Sequence, residues 1–413
     1  MRIRALTGFI DPGWPIDPGR MEKMAAVLKR GRERLNDIGY EVKSLRVATP
    51  TPSRMDKPIP PAQRPEAARM LEAECFLNGI DYAAIGPALP EEPDGYPAAA
   101  EILAAAESVF TSGVFAGHAN GLSLKAARAC GRVIETASRI RNDGFANLRF
   151  AALANVGPGS PFFPAAYHGV SSKGKRPAFA AAVEGAAAAV EAFRSAPSLR
   201  LARRRLTELI ERHTSAIDFV LKELSTDMDY LGIDFSLAPY PSPEMSLGAA
   251  MEQAGLPAVG VPGSTAVAAM LTDSTDRAEF KRTGFCGILT AVLEDQVLGD
   301  RAAERSLNLQ DLLLMATVCG TGLDTIPLAG DVSEAEISAL LVDLGALALR
   351  HDKPLTARLM PIPGKQAGDP VEFNFEYFAT SRVMALEAKP IKGLLAGEED
   401  LEIPPLNRGR NSK

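Results

Sequence analysis

The hydrophobic positions change period several times along the chain. Between residues 2 and 10, Ile3, Ala5, Leu6, Phe9 and Ile10 form a short apolar run that ends in Asp11-Pro12-Gly13, the pattern of a strand entering a turn. Met21, Met24, Ala25, Val27, Leu28 and Leu35 then recur at helical spacing, with Gly39 as a stop. Residues 41–47 alternate apolar and polar, as a second strand would. Six prolines between residues 48 and 65 interrupt any regular element there. Beyond them the alternation resumes: a helix over 66–77, strands over 82–88 and 109–113, an alanine-rich helix over 123–139, and a fully apolar strand over 150–154.

The second half repeats the rhythm. Small residues over 178–192 suit a closely packed helix, and Leu201, Leu206, Leu209, Ile210, Ile217, Val220 and Leu221 mark the buried stripe of another over 200–224. A strand follows over 229–237, and Pro262-Gly263-Ser264-Thr265 opens a helix. The apolar run 307–318 enters a Cys319-Gly320-Thr321-Gly322 turn. Ser333 and Glu336 have capping-box spacing, which starts a helix at Glu334. Strand patterns over 355–360 and 371–375 complete the series.

Roughly eight to ten strands alternating with helices predict a parallel α/β architecture, since parallel neighbours need a helical crossover. The first strand has no Gly-x-Gly-x-x-Gly turn behind it, so a large closed barrel of roughly ten strands is expected rather than an open nucleotide-binding sheet. Residues 1–396 form one domain on this view, with 397–413 a polar tail.

Composition narrows the functional classes. The chain has 413 residues, 46% hydrophobic, with a formal net charge of −6, which offers no general electrostatic grip on nucleic acid. No 18-residue apolar run suggests a membrane partner. Cys75, Cys130, Cys286 and Cys319 fit no Cys-x-x-Cys spacing, so no metal site is expected, and a reduced, cytoplasmic protein is. Nothing selects a cofactor. The alanine-rich helices suit packing on the sheet or on a second copy of the chain, as in a homo-oligomer.

The candidate chemistry gathers around residues 319–331. Gly320 and Gly322 would display Cys319, Thr321 and Asp324 around a small space. Cys319 reads either as a nucleophile or as a small buried hydrophobe. Asp324, next to apolar Ile326, needs hydrogen bonds or a cation if it is buried. Glu244 is a second carboxylate for acid/base work. His168 sits among Pro161, Phe162, Phe163, Pro164 and Tyr167, where an imidazole would be partly desolvated. Ser264 and Thr265, at a helix start, could hold an anionic group. Glu294 and Asp295 are adjacent, so at most one faces an interior site, and Glu294 is taken as a substrate contact.

Several stretches together resemble the domain-of-unknown-function 711 family: FAALANVGPGSPFFPAAYH (150–168), DFSLAP (234–239), GSTAVAAMLTD (263–273), residues 284–295, CGTGLDTIPLAGD (319–331), and residues 358–365 and 368–373. The resemblance implies a fold like the α/β barrel of the pyruvate-formate-lyase type. Glycyl-radical enzymes of that fold carry a glycine after Arg-Val-x; here Arg382-Val383-Met384 is followed by Ala385, so the resemblance guides the barrel and not radical chemistry. The resulting expectation is an enzyme acting on a small polar or anionic metabolite by non-radical lyase, hydrolase or transferase chemistry. The rival expectation is a non-catalytic metabolite-binding or scaffold protein on a degenerate version of the same fold.

Overall fold

Strand β1 (Arg2–Phe9) lies inside the sheet, buried along nearly its whole length. The computed structural model describes residues 1–169, 176–225 and 228–406. The remaining principal strands are β2 (Leu45–Ala48), β3 (Tyr82–Ala84), β4 (Val109–Gly117), β5 (Phe150–Ala154), β6 (Ala178–Glu184), β7 (Asp229–Asp234), β8 (Gly322–Ala329) and β9 (Leu355–Ile362). They run in the order β8-β9-β5-β4-β3-β2-β1-β6-β7 within a 12-stranded sheet, counted among the described residues. The short strands Glu41–Val42, Gly121–Ser123 and Asp400–Leu401 pair off this path.

The fold is mixed α/β, and the sheet departs from the all-parallel expectation at two seams. Strands β1 to β5 are mutually parallel. Strand β6 runs antiparallel to β1, and β9 runs antiparallel to β5. Within the second half, β6 and β7 are parallel, as are β8 and β9. No continuous strand joins β7 to β8, so the expected closed barrel is not present as an unbroken ladder among the described residues. Residues 288–291 lie between the two ends, with one parallel bridge from Leu237 to Ile288 and another from Ala291 to Asp324.

Local sequence explains most elements. Ser123 caps the helix Leu124–Ser138, Ser198 caps Leu199–Lys222, and Ser333 with Glu336 forms the expected capping box on Glu334–His351. The expected helix over 178–192 divides instead into β6 and the short helix Ala186–Phe193. Alanine favours helices by propensity, but β6 is flanked by two strands and buried on both faces, where small side chains allow close approach. The run 307–318 is the helix Leu309–Ala316, with its own Asn308/Asp311 capping box. The start of the expected tail is tied down, because Asp400–Leu401 pairs with Ser123 and Leu122. Among the described residues, no helix is long and apolar enough to cross a membrane.

Candidate functional site

A cavity of about 840 Å³ opens among the strands, and Arg4, Arg46, Glu294, Thr321, Asp324 and Arg358 all line it. That volume suits a small metabolite. Its geometry starts at the entry to β8. Gly322 has φ +92°, and a Cβ there would stand 2.3 Å from the Thr356 carbonyl oxygen of β9, so only glycine lets the strands close up. The β8–β9 register then slips between Leu323 and Ile326, with Thr325 at φ 44°. Such a bulge re-aims the residue beside it, and here that residue is Asp324.

Asp324 meets Arg358 of β9. The guanidinium donates through both Nε and Nη2, the latter at 2.9 Å from Asp324 Oδ2. Arg358 Nη2 also donates to Glu294 Oε1 at 2.7 Å, and Glu294 Oε2 accepts from Arg4 Nη2 at 2.7 Å. Arg4 Nε lies 2.8 Å from Glu184 Oε1, an ion pair without hydrogen-bond geometry. Asp324, Arg358, Glu294, Arg4 and Glu184 thus alternate in sign across β8, β9, the turn Val292–Glu294, β1 and β6. All of these side chains are buried, and burial of charge is tolerable only in such paired company.

The two carboxylates that share Arg358 are pushed apart. Burial raises the Asp324 pKa and the charge of Glu294 adds to this, against the opposing pull of Arg358. Burial also disfavours the charge on Glu294, but Arg4 and Arg358 outweigh it and its pKa falls below the ordinary value. One carboxyl is therefore biased toward holding a proton, and its neighbour toward staying ionised.

Arg46, on β2 next to β1, is different. Its Nε donates to Ser44 Oγ at 2.9 Å, and Ser44 Oγ donates to the Arg4 carbonyl at 2.7 Å. The guanidinium carbon lies 5.1 Å from the Phe163 ring centre and 5.6 Å from that of Tyr82. Among the described residues it has no carboxylate within ion-pair distance. Burial first, and the like charge of Arg4 second, push its pKa down to about 10. The Tyr377 ring, which also lines the cavity, covers Arg4, 4.6 Å from the guanidinium carbon.

The family model described as "Uncharacterised ACR (DUF711)" matches residues 1–376, a span that includes every charged group of this network. The chain belongs to the DUF711 family. It is 31% identical over 367 residues to a UPF0210 protein of Pyrobaculum arsenaticum, covering 84% of this chain and 80% of that one. Against a UPF0210 protein of Pyrobaculum aerophilum it is 31% identical over 384 residues, covering 89% and 82%. A UPF0210 protein of Syntrophobacter fumaroxidans is 31% identical over 332 residues, covering 76% and 72%.

Of the residues singled out in this DUF711 chain by sequence, the structure brings Asp324, Glu294 and Thr321 to the cavity. Thr321 Oγ1 donates to the Ile288 carbonyl, which ties the turn before β8 to residues 288–291. Asp295 turns away to cap the helix Gln296–Ala303 and accepts from Ser246 Oγ. The other candidates lie elsewhere. Cys319 is packed in the hydrophobic core, as a small apolar side chain at a helix end. Glu244 is exposed in the turn Pro243–Met245. Ser264 Oγ accepts from Gly260 N–H and donates to the Val261 carbonyl, so it builds its own turn, and neither it nor Thr265 lines the cavity. His168 is buried near Phe9, with ring centres 6.5 Å apart and its backbone N–H bonded to Thr49, away from the cavity lining.

Sequence reasoning missed Arg4, Arg46, Glu184 and Arg358. The signal was partial: Arg46 and Arg358 are lone charges in Leu45–Ala48 and Leu355–Ile362, whereas Arg4 shares its strand with Arg2, and Glu184 falls in the stretch expected to be a helix. A charge in such a place either faces water or meets a partner from a distant part of the chain.

Proposed function

We propose that this chain is an enzyme that moves a proton on a small anionic metabolite bound in the cavity, by non-radical lyase, hydrolase or transferase chemistry. The observation that carries the proposal is the pair of carboxylates on Arg358. Asp324, whose proton affinity is raised by burial and by Glu294, is the acid/base group; Glu294 stays charged and fixes Arg358 between them. Arg358 holds Asp324 through two donors, one to each oxygen, which fixes the carboxyl in the cavity wall. In the same proposal the sheet is taken as closed, with residues 288–291 spanning β7 and β8. The single bridges at Ile288 and Ala291 and the Thr321 hydroxyl support this, and closure would shield the proton transfer from bulk water.

The test is a panel of small carboxylates and phosphate esters. Consumption is followed by mass spectrometry and binding by thermal shift. A compound consumed by the wild type is expected to bind Asp324→Asn and remain intact. Turnover of that compound at the wild-type rate in Asp324→Asn would overturn the proposal.

A further inference from the structure

The cavity holds several cations, and they are not equivalent. Arg4 and Arg358 are bonded to the buried carboxylates. Arg149 donates to the carbonyls of Leu103, Ala106 and Val109. Lys43 is paired with Glu41, and Arg141 with Asp143. Arg46 alone among these, within the described residues, makes only its Nε bond to Ser44, with neither a carboxylate nor a carbonyl on its two terminal nitrogens. A guanidinium held in a partly apolar cavity with four of its five N–H donors unused is set up to receive an anion.

The surroundings select the anion. Arg46 is one free fork, and the nearest charges beyond Arg4 include the anionic Glu294. A phosphate dianion would find no second free cation among the described lining residues, and it would be repelled by the ionised Glu294. A monoanionic carboxylate matches a single planar fork with two parallel bonds. Beside the guanidinium, the rings of Tyr82, Phe110 and Phe163 form an edge-to-face group, with Phe110 5.6 Å from Tyr82 and 5.2 Å from Phe163, and all three line the cavity. Such a floor takes an apolar body.

We infer that Arg46 anchors a small monocarboxylate whose apolar or aromatic part rests on the Tyr82, Phe110 and Phe163 rings. This rests on the proposed function for the identity of the cavity and names the class of substrate the cavity takes. The carboxylate sits against Arg46 of β2, and the apolar body lies on the three rings beside it.

Calorimetric titration of the full chain tests it with phenylacetate, acetate, phenylacetamide and inorganic phosphate. Phenylacetate is expected to bind saturably. Acetate, lacking the ring, and phenylacetamide, lacking the charge, should each bind at least about tenfold more weakly. Arg46→Gln should weaken phenylacetate by on the order of tenfold to a hundredfold while keeping a cooperative melt. Arg46→Lys, which keeps the charge but loses the fork, should show most of the same loss and stands in if the glutamine variant does not fold. Absence of saturable phenylacetate binding, phosphate binding tighter than phenylacetate, or wild-type affinity in Arg46→Gln would each overturn the inference. Failure here together with Asp324-dependent turnover of another anion retires this inference alone. Arg46-dependent binding with no turnover of any carboxylate retires the enzyme proposal alone.

Discussion

The two halves of the sheet furnish opposite halves of the site. The N-terminal strands β1 and β2 bring Arg4 and Arg46. The C-terminal half brings Glu184 on β6, Glu294 from the turn after residue 291, and Asp324 and Arg358 on β8 and β9. Each half alone would bury a net charge, even with Arg358 between Asp324 and Glu294; assembled across the antiparallel seam between β1 and β6, they offset one another. The N-terminal half holds one cation beyond what the carboxylates use. Arg4 and Arg46 sit on adjacent strands of the same wall, yet one is locked into the network and the other is left to the cavity. The same residue type can be structural or available according to what faces it from the other half.

Replacing Arg4 gives the largest effect on this comparison. Arg4→Met would leave Glu184, fully buried, with only Arg2 Nε at 3.9 Å, while Glu294 would keep Arg358 alone. An uncompensated buried carboxylate of this kind costs about 3–5 kcal/mol. Urea denaturation at neutral pH should show a loss of that order. A loss below about 1 kcal/mol would mean that the halves are not held together by this network.

The part of this arrangement legible in the sequence was the local part. The capping box at Ser333 and Glu336, the long helix ending near residue 222 and the first strand follow from side-chain periodicity and from residues three apart. Asp324 was also legible, because a carboxylate among apolar neighbours has to be satisfied by something, and Glu294 because at most one of two adjacent carboxylates can face an interior site. Their partners were not, since Arg4 and Glu294 are 290 positions apart and no periodicity encodes that pairing. Strand β6 was misread because alanine carries little information: its helix propensity is local, while its value in β6 is the space it leaves between neighbouring strands. Cys319, Ser264 and Glu244 were drawn in by turn chemistry, which places a residue at an element's end without saying which way the end faces.

Asp234 sharpens the comparison from within the C-terminal half. It is fully buried without a cation, accepting from Ser236 Oγ at 2.7 Å and from the N–H groups of Phe285 and Cys286 at 2.7 and 2.9 Å. Gly284 is required beside it, since a Cβ there would come within 2.1 Å of Asp234 Oδ2. Burial, opposed by these hydrogen bonds, pushes its pKa up to about 6 from an ordinary 3.8. Between those values the folded chain keeps a proton that the unfolded chain has released, so stability falls as pH rises through this window. The stability of the wild type minus that of Asp234→Asn should therefore drop between pH 4 and 7, by up to about 3 kcal/mol. Urea titrations at several pH values across that range measure it. A flat difference would mean that Ser236 and the backbone donors stabilise the charged form enough to cancel the cost of burial.

The smallest effect belongs to Arg46. Its removal separates a structural arginine from an available one, because a guanidinium with no acidic partner loses little when replaced by a neutral side chain that can still reach Ser44. Arg46→Gln should melt at the wild-type temperature or slightly above it, a change within about 1 kcal/mol, in contrast to the loss expected for Arg4→Met one strand away. The linkage has the same sign: burial and Arg4 depress the Arg46 pKa to about 10, so the folded state holds this proton less tightly than the unfolded chain. The charge of Arg46 therefore weighs against folding at neutral pH and is relieved only as pH rises through 10. Thermal melts at pH 7 without ligand decide the point. Destabilisation of more than about 2 kcal/mol would place Arg46 in the structural class with Arg4, and would remove the one difference between the two arginines on which ligand binding by this wall depends.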